Sequence, residues 1–325
     1  MGQDEHRINQ IQQEKPPLLI LTGPTAAGKT ALSVALAKAV GGEIISADSM
    51  QVYRQMDIGS AKVTEAEMQG VPHHLIDVLE PEEEFNVVRF QQLAKQAAGE
   101  IRSRGKLPIV VGGTGFYIQA LLYDIDFTQT KEESRLREQL EQLAREKGNG
   151  YLHGLLRQAD PEAADKIHEN NVKRVIRALE YHAQTGQLIS AHNEQQRGRE
   201  AAWRFRYFVL TDDRARLYER IDRRVDRMLE EGLVDEVRAL RERGLKKEMV
   251  SMRGLGYKEI LSYLEGEYDL ERAVYLIKRD TRHFAKRQLT WFKRERDVEW
   301  IDRQDFSEEN AILQYLTGQA EELKR

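Results

Sequence analysis

The stretch GPTAAGKT at residues 23–30 decides the fold expected for this chain. It matches the phosphate-loop pattern G-x-x-x-x-G-K-[ST] at every constrained position, between a strand-like run at 18–21 and a helix-like run at 31–40. Backbone N–H groups and the helix N-terminus of such a loop form a cradle for phosphates. We therefore predict a diphosphate or polyphosphate site, with the lysine at the terminal phosphates and the threonine as a ligand of Mg²⁺. Its residues are Gly23, Pro24, Thr25, Ala26, Ala27, Gly28, Lys29 and Thr30.

Composition limits the class of protein. A length of 325 residues predicts about two domains, or one domain with an insertion, and the 40% share of hydrophobic residues can form a sizeable core. The net charge is −4, so any surface for nucleic acid must be local. Cysteine is absent, which excludes disulfides, thiolate catalysis and cysteine zinc sites. Residues 1–17 are polar, and no apolar run approaches the roughly 20 residues of a membrane span. We expect a flexible N-terminus and a cytoplasmic protein without a membrane segment.

Strand-like and helix-like runs alternate over most of the chain. Helical patterns at 86–104 and 215–243 separate some of the strands. This alternation is typical of βαβ units, so we predict an α/β fold with a P-loop NTPase-like parallel sheet flanked by helices. The strand-like runs are 18–22, 43–47, 107–111, 205–211 and 298–301.

The character of the sequence changes between residues 124 and 203. Long β-branched runs disappear there, and charged helical segments take their place at 131–147, 162–167 and 172–185. We therefore predict an all-helical insertion domain at 124–203. The P-loop core then consists of 18–123 and 204–325.

A second distinctive segment runs from Arg272 to Arg296. It contains nine basic residues, which only Asp280 and Glu295 oppose, and aromatic residues are interleaved with them. Such a helix can meet phosphates and stack on bases. The alternative is a solvated amphipathic helix whose aromatic side chains pack in the core. In an otherwise acidic protein, the local basic excess favours nucleic acid.

Two strands are expected to deliver polar side chains to the phosphate loop. The run at 44–47 ends in Asp48, and the run at 108–111 ends in GGTG, which contains Thr114. The carboxyl ends of parallel strands lie at the edge of the sheet where ligands bind, so both residues should lie near the loop. Asp48 has an alternative role as a helix N-cap or turn residue. His73 and His74 have no third ligand nearby, and we do not nominate them for a metal.

Six motifs, in order from about residue 18 to residue 300, resemble the tRNA dimethylallyltransferases of bacterial type, also called tRNA isopentenyltransferases. They are the phosphate loop, DSMQVYR at 48–54, HHLID at 73–77, VVGGTG at 110–115, RALE at 177–180 and AKRQLTW at 285–291. The chain departs mildly from the family pattern at Ala27, at Ser60 and Val63, and at His283-Phe284. These departures leave the fine substrate preference open but not the reaction class. The resemblance implies transfer of a dimethylallyl group from its diphosphate to N6 of the adenosine 3′-adjacent to the anticodon. It also implies Mg²⁺, the tRNA anticodon stem-loop as partner, and a helical insertion in a P-loop core.

Under this resemblance Asp48, Thr114 and Lys29 are the catalytic residues. Asp48 would orient the adenine amine and take its proton. Thr114 would place the diphosphate or the nucleotide through its hydroxyl, and Lys29 with Mg²⁺ would neutralise the leaving diphosphate.

Two arginines are further candidates for the diphosphate. Arg220 and Arg224 lie four residues apart on a predicted helix and therefore share one face. The resemblance places an arginine of this segment at the diphosphate. Surface ion pairs with Glu219, Asp222 or Asp226 are the alternative for either residue.

The resemblance also nominates residues that bind tRNA. The target adenine should be extruded from the anticodon loop, with recognition through shape, stacking and loop phosphates. For Lys173, Arg174 and Arg177 in the insertion, the alternative is that they form a solvated helix face. The nominated residues are Asp48, Ser49, Met50, Gln51, Thr114, Lys173, Arg174, Arg177, Arg253, Gly256, Tyr257, Lys286, Arg287 and Gln288.

Two other functions compete with this prediction. A P-loop nucleoside or nucleotide kinase would bind ATP tightly but would have no use for a basic aromatic helix. A P-loop RNA-binding module without chemistry would leave Asp48 and Thr114 without a joint role. We expect a monomer. The sequence does not determine which tRNAs are modified, which substrate binds first or which arginine contacts the diphosphate.

Overall fold

The computed structural model describes residues 15–127 and 134–325. Most of the predicted flexible N-terminus and residues 131–133 of a predicted helix lie outside these ranges. The chain forms two compact units, one of Met1–Asp124 with Ala202–Arg325 and one of Ile125–Ala201. The predicted insertion was 124–203. Within the described ranges, no helix is both long and apolar enough to cross a membrane.

A six-stranded sheet forms the centre of the first unit, with strand order β3-β2-β4-β1-β5-β6 and parallel pairing throughout. This confirms the predicted α/β class. The central strand β1 pairs with β4 and β5, and its residues Leu18 to Leu21 are fully buried. A strand buried on both faces reads as a continuous apolar run, which made it visible in the sequence. The strands are β1 Pro17–Thr22, β2 Gly42–Ala47, β3 His73–His74, β4 Leu107–Gly112, β5 Arg204–Thr211 and β6 Val298–Asp302.

The first unit contains nine α-helices in the described part of the chain. The helix predicted at 215–243 is in fact two helices, and that part of the prediction is wrong. The helix is interrupted at Gly232, whose φ of 102° is a backbone conformation that favours glycine. The helices are α1 Lys29–Val40, α2 Glu65–Met68, α3 Val87–Ser103, α4 Gly115–Leu122, α10 Arg214–Glu230, α11 Leu233–Glu242, α12 Tyr257–Leu264, α13 Leu270–Phe292 and α14 Glu309–Lys324.

One face of the sheet packs against α1 and α14. Leu32 of α1 and Leu316 of α14 lie in one apolar cluster with Leu19 and Ile109 of the sheet. All four side chains are at most 2% exposed. Burying a side chain of this size contributes about 1.5–3 kcal/mol. The helix that starts at the phosphate loop is therefore fixed firmly to the sheet.

Helix α13 approaches the end of β4 very closely. A Cβ atom on Gly113 would lie 2.2 Å from Nε2 of Gln288, and one on Gly115 would lie 2.2 Å from Cδ1 of Trp291. Real Cβ atoms do not come so close to other heavy atoms. The glycines of the GGTG segment therefore admit the helix next to the strand end, where an ordinary NTPase would have its second magnesium ligand.

Every regular element in the described residues of the second unit is a helix. A cluster that includes Leu152, Leu156, Val175 and Ile176 forms its core. Asp160 caps one helix through the N–H of Ala163 at 3.0 Å. The helices are α5 Ser134–Lys147, α6 Asn149–Ala159, α7 Pro161–Lys166, α8 Val172–Thr185 and α9 Ile189–Arg197.

Candidate active site

The phosphate loop joins β1 to α1 in a conformation that depends on its glycines. Gly23 has a φ of 147°, and a Cβ atom there would lie 2.2 Å from the carbonyl oxygen of Leu210. Gly28 caps α1 with a φ of 85°. The first glycine thus lets β5 approach the loop, and the second turns the chain into the helix. The backbone N–H groups at the start of α1 are left for a ligand.

Lys29 folds back over its own loop. Its Nζ donates to the carbonyl oxygens of Gly23 at 3.0 Å and Pro24 at 2.8 Å. Burial, together with the positive charge of Arg224, lowers the pKa of Lys29 to about 7, while Asp48 opposes the shift. Lys29 therefore lies close to both an arginine and the candidate base. Its side chain loses its proton near neutral pH when no anion is bound.

Asp48 and Thr114 lie at one junction of the sheet edge, as their positions after parallel strands predicted. The N–H of Thr114 donates to the carbonyl oxygen of Ala47, the residue before Asp48, at 3.2 Å. Oδ1 of Asp48 accepts the N–H of Met50 at 2.8 Å and that of Gln51 at 3.3 Å. Asp48 therefore does stabilise the turn that follows it, but these hydrogen bonds use only one of its two carboxylate oxygens.

The two arginines of α10 both contact the phosphate loop. Arg220 donates through Nε to the carbonyl oxygen of Ala26 at 2.9 Å and through Nη1 to Asp212 at 2.7 Å. Its Nη2 is buried and has no hydrogen-bond partner among the described residues. Nη1 of Arg224 donates to Oγ1 of Thr25 at 3.2 Å, and burial lowers the pKa of this guanidinium.

The ion pairs considered as alternatives for these arginines do not form in the structure. Asp222 instead accepts from Arg282 at 2.5 Å, and Asp226 pairs with Lys278 at 2.5 Å. Both cations belong to α13, where Arg279 also pairs with the neighbouring Asp280. The predicted basic excess of this helix is therefore partly neutralised by carboxylates.

The exposed side of α13 keeps a basic groove. Lys286 and Arg287, which the sequence nominated for tRNA, are exposed and line a cavity of about 470 Å³. Arg287 also lies 5.7 Å from the ring of Phe284, while Phe292 is fully buried. The helix thus combines both alternatives, with some aromatic side chains in the core and cations at the surface. The other residues that line the cavity are His283, Thr290, Trp291 and Arg294.

Gln288 has an internal role that sequence reasoning missed. Its Oε1 accepts the N–H of Thr25 at 2.9 Å, and its Nε2 donates to the carbonyl oxygen of Gly113 at 3.0 Å. The side chain is only 6% exposed, so both amide groups serve the protein. Gln288 links the phosphate loop to the end of β4 and is not arranged to read RNA.

Tyr257 and Gly256 are likewise buried and differ in this from the expected tRNA surface. The hydroxyl of Tyr257 donates to Glu236 at 2.8 Å, and the side chain is fully buried. The same glutamate accepts the N–H groups of residues 57–59 at 2.8–3.0 Å. A buried ring cannot stack on a base, so this pair supports the loop after Asp48. Arg253 nearby is exposed.

The segment after Asp48 is partly exposed and well supported. Gln51 donates through Nε2 to the carbonyl oxygen of Ala61 at 3.1 Å, which fixes its side chain. Met50 packs on Gly254, where a Cβ atom would lie 2.6 Å from its Cε. Ser49, Met50 and Gln51 keep part of their surface accessible.

In the second unit, the cations Lys173, Arg174 and Arg177 at the start of α8 are all exposed; we call them the α8 cation group. The three residues lie within one helical turn of each other. They form no ion pair with any carboxylate in the described ranges. Cations in the first turn oppose the helix dipole, so helix stability does not explain Lys173 and Arg174 there.

Comparisons with known proteins agree on one family. The model of the "IPP transferase" family matches residues 51–295, and that of "Isopentenyl transferase" matches residues 16–79. The tRNA dimethylallyltransferase of Lachnoclostridium phytofermentans is 62% identical over 297 residues, which cover 91% of this chain and 95% of the relative. That of Acetivibrio thermocellus is 53% identical over 299 residues, or 92% and 96% of the two chains.

Solved structures give the same result. The tRNA isopentenylpyrophosphate transferase of Bacillus halodurans is 44% identical, with a TM-score of 0.72 over 95% of this chain and 98% of that one. A eukaryotic dimethylallyltransferase acting on tRNA is 30% identical, with a TM-score of 0.77 over 88% and 74%. The resemblance seen in six motifs thus extends over nearly the whole chain, which belongs to the IPP transferase family of tRNA dimethylallyltransferases.

Proposed function

We propose that this chain transfers a dimethylallyl group from dimethylallyl diphosphate to N6 of the adenosine 3′-adjacent to the anticodon of tRNA, releasing diphosphate. One observation carries the proposal: Asp48 and Thr114 meet at one strand junction beside the phosphate loop. The reaction needs a proton acceptor next to an anion cradle, because the amine must lose a proton while a diphosphate leaves.

The cradle addresses the leaving group. Charge develops on the oxygen that departs from the prenyl carbon, and fixed cations stabilise it without reorganisation. Lys29, Arg224 and the Nη2 group of Arg220 supply positive charge at the loop. Asp212, which pairs with Arg220, offsets only part of this charge.

The strand junction addresses the nucleophile. The N6 lone pair attacks C1 of the dimethylallyl group, the C–O bond breaks, and its electron pair leaves with the diphosphate. The N6 proton then passes to the carboxylate oxygen of Asp48 that the turn does not use. The hydroxyl of Thr114 makes no capping bond to α4 and can orient the diphosphate or the adenine.

The residues present fit Mg²⁺. Magnesium binds through one or two protein oxygens together with waters and substrate phosphates. Thr30 offers its hydroxyl at the exposed start of α1. The described residues contain no group of three or more histidine, cysteine or acidic side chains that could hold a metal, so the substrate would supply the remaining ligands. When bound, the ion would neutralise part of the diphosphate charge.

The tRNA would meet cations that form no ion pair with a carboxylate of the described residues. The α8 cation group, Arg253, Lys286 and Arg287 are exposed, which suits contact with phosphates of the anticodon stem-loop. We assign tRNA contacts to these residues and to Ser49, Met50 and Gln51. Gly256, Tyr257 and Gln288 are assigned to support of the site. A cytoplasmic location and a monomeric state stay predictions.

The test is transfer of label from radiolabelled dimethylallyl diphosphate to unmodified tRNA, followed by nucleoside analysis. The wild type should place the label on N6 of the adenosine beside the anticodon. Asp48→Asn keeps an oxygen for the turn but cannot take the proton, so kcat should fall by about 10²–10⁴. Asp48→Ala removes both functions, and only this variant should also lose stability.

Other outcomes would contradict the assignment. Unlabelled tRNA together with phosphate transfer from ATP to a nucleotide would favour the kinase. Binding of tRNA without any turnover would favour the RNA-binding module. Full transfer by Asp48→Asn would remove Asp48 as the base while leaving the reaction class intact.

A further inference from the structure

Tyr117 lies in the first turn of α4, three residues after Thr114, and the reaction described above gives it no role. Its N–H donates to the carbonyl oxygen of Thr114 at 3.0 Å, so the two residues share one face of the helix. Side chains on a helix lean toward its N-terminus. The N-terminus of α4 lies at the strand junction of Asp48 and Thr114, so the ring of Tyr117 leans toward the candidate base.

Two aromatic side chains hold this ring in place. The ring of Phe90 stacks on it, with 4.6 Å between the centroids and 19° between the planes. The ring of Phe85 approaches it at 90°, with the centroids 5.6 Å apart. Tyr117 is only 8% exposed. With its ring packed in this way, Tyr117 offers a substrate its hydroxyl rather than a face of the ring.

The hydroxyl of Tyr117 is a hydrogen-bond donor that the protein leaves unused. It forms no hydrogen bond within the part of the chain that the structure describes. Burial, the neighbouring Tyr53 and the negative charge of Asp48 raise the pKa of this hydroxyl, which therefore keeps its proton. A buried tyrosine hydroxyl normally has a partner, and phenylalanine would fill the same space without an unpaired donor. Packing alone thus does not account for the hydroxyl.

The structure thus brings a free donor close to a free acceptor. The acceptor is the carboxylate oxygen of Asp48 that its turn does not use. Adenine presents the complementary pair, because its N6 amine donates hydrogen bonds and the ring nitrogens on either side of it, N1 and N7, accept them. Guanine carries an oxygen in place of the amine, and the carboxylate would repel it. The pair formed by Asp48 and Tyr117 therefore suits the edge of an adenine.

We propose that Tyr117 is a specificity-determining residue of the adenine site, whose hydroxyl donates a hydrogen bond to a ring nitrogen beside the N6 amine, N1 or N7. Asp48 holds the amine itself, so the two side chains together orient the adenine for attack on the dimethylallyl group. Tyr117 keeps its proton throughout, and no bond to it forms or breaks in the transfer. This inference rests on the proposed function, because it assumes that adenine is the acceptor.

The test combines a change in the protein with a change in the RNA. Label transfer from dimethylallyl diphosphate is measured with anticodon stem-loops that carry adenosine, 1-deazaadenosine or 7-deazaadenosine at the target position. Tyr117→Phe removes only the hydroxyl and should lower kcat/KM for the adenosine loop by about 10- to 100-fold. On one of the two deaza loops, the variant and the wild type should differ by less than about threefold, because the hydrogen bond is already lost there. The intrinsic effect of the deaza base on the amine is common to both proteins.

Tyr207→Phe is the matched control. It also removes a tyrosine hydroxyl that is buried and has no hydrogen-bond partner among the described residues. Tyr207 lies on β5, where Glu295 rather than Asp48 is the neighbouring carboxylate. This variant should transfer label to all three loops as the wild type does. Neither variant should lower the free energy of unfolding, because each removes an unpaired polar group.

Each other outcome is distinct. Equal kcat/KM of Tyr117→Phe and the wild type on the adenosine loop would overturn the proposal. A loss of the same size on all three loops would also overturn it, because Tyr117 would then act through the packing of the site and not on the base. If the wild type transfers no label to the adenosine loop, the proposed function fails first. If Tyr117→Phe does not fold, the affinities of the wild type for the three loops decide, and equal affinities would overturn the proposal.

Discussion

Binding of a diphosphate should be coupled to uptake of a proton by Lys29. The pKa of Lys29 is lowered to about 7 without ligand, through burial and the charge of Arg224. A bound diphosphate places negative charge next to the ammonium and should return the pKa toward its ordinary 10.5. A ligand that raises the pKa of a group binds more weakly as the pH rises above the pKa of that group in the free protein.

The magnitude follows from these two pKa values. Affinity should change little below pH 7 and should fall about 50-fold between pH 7 and pH 9, or about 2.3 kcal/mol. At pH 8 about nine-tenths of the free protein lacks the proton, so binding should take up about 0.9 proton per site. Calorimetry in two buffers with different ionisation enthalpies measures this uptake directly.

Lys29→Arg is the matched control, because a guanidinium keeps its charge over the whole range. Ionisation of the diphosphate ligand itself affects both proteins equally. The difference between the two proteins in the slope of affinity against pH therefore isolates the contribution of Lys29. Equal slopes and equal proton uptake in wild type and variant would refute the reasoning. In that case the protonation state of Lys29 does not change when the ligand binds.

Two further predictions concern the support of the site and the RNA surface. Gln288→Met should leave the N–H of Thr25 and the carbonyl of Gly113 unpaired. The free energy of unfolding, measured in urea, should therefore fall by about 2–4 kcal/mol. An unchanged midpoint of urea unfolding would mean that water replaces the amide. Replacing the whole α8 cation group by glutamine should weaken binding of the anticodon stem-loop and reduce its salt slope by about 2–3, without changing the KM for dimethylallyl diphosphate. Lys166→Gln, which removes a lysine paired with Glu162, is the control, and an equal effect there would argue against specific contacts.

The sheet could be predicted because its signals are local. Buried parallel strands are continuous apolar runs, and five of the six were found within one residue at either end. The strand His73–His74 has only two residues and no apolar run. Helix α6 is absent from the predicted helical segments. Gly148 and Gly150 near its start are typical of a turn, yet only Gly148, with a φ of 84°, lies outside the helix. A single glycine thus does not reveal whether it ends a helix or lies within one.

The candidate site was predictable only where topology determines it. The proximity of Asp48 and Thr114 follows from parallel pairing of the strands that precede them. The roles of Gln288 and Tyr257 depend on partners far away in sequence, so no local pattern distinguishes a buried amide from one that reads RNA. For the same reason, the partners of the cations on α13 could not be foreseen.

The electrostatics of the loop favour an anionic ligand on thermodynamic grounds. Because the pKa of Lys29 is lower in the folded chain than its ordinary 10.5, the unfolded chain binds more protons between about pH 7 and 10.5. Stability should therefore rise with pH in this window, by up to about 1.4 kcal/mol per pH unit, and the protonated lysine destabilises the fold at lower pH. Burial also lowers the pKa of Arg224 beside the same loop. A diphosphate that binds beside these two cations would offset the cost of burying them.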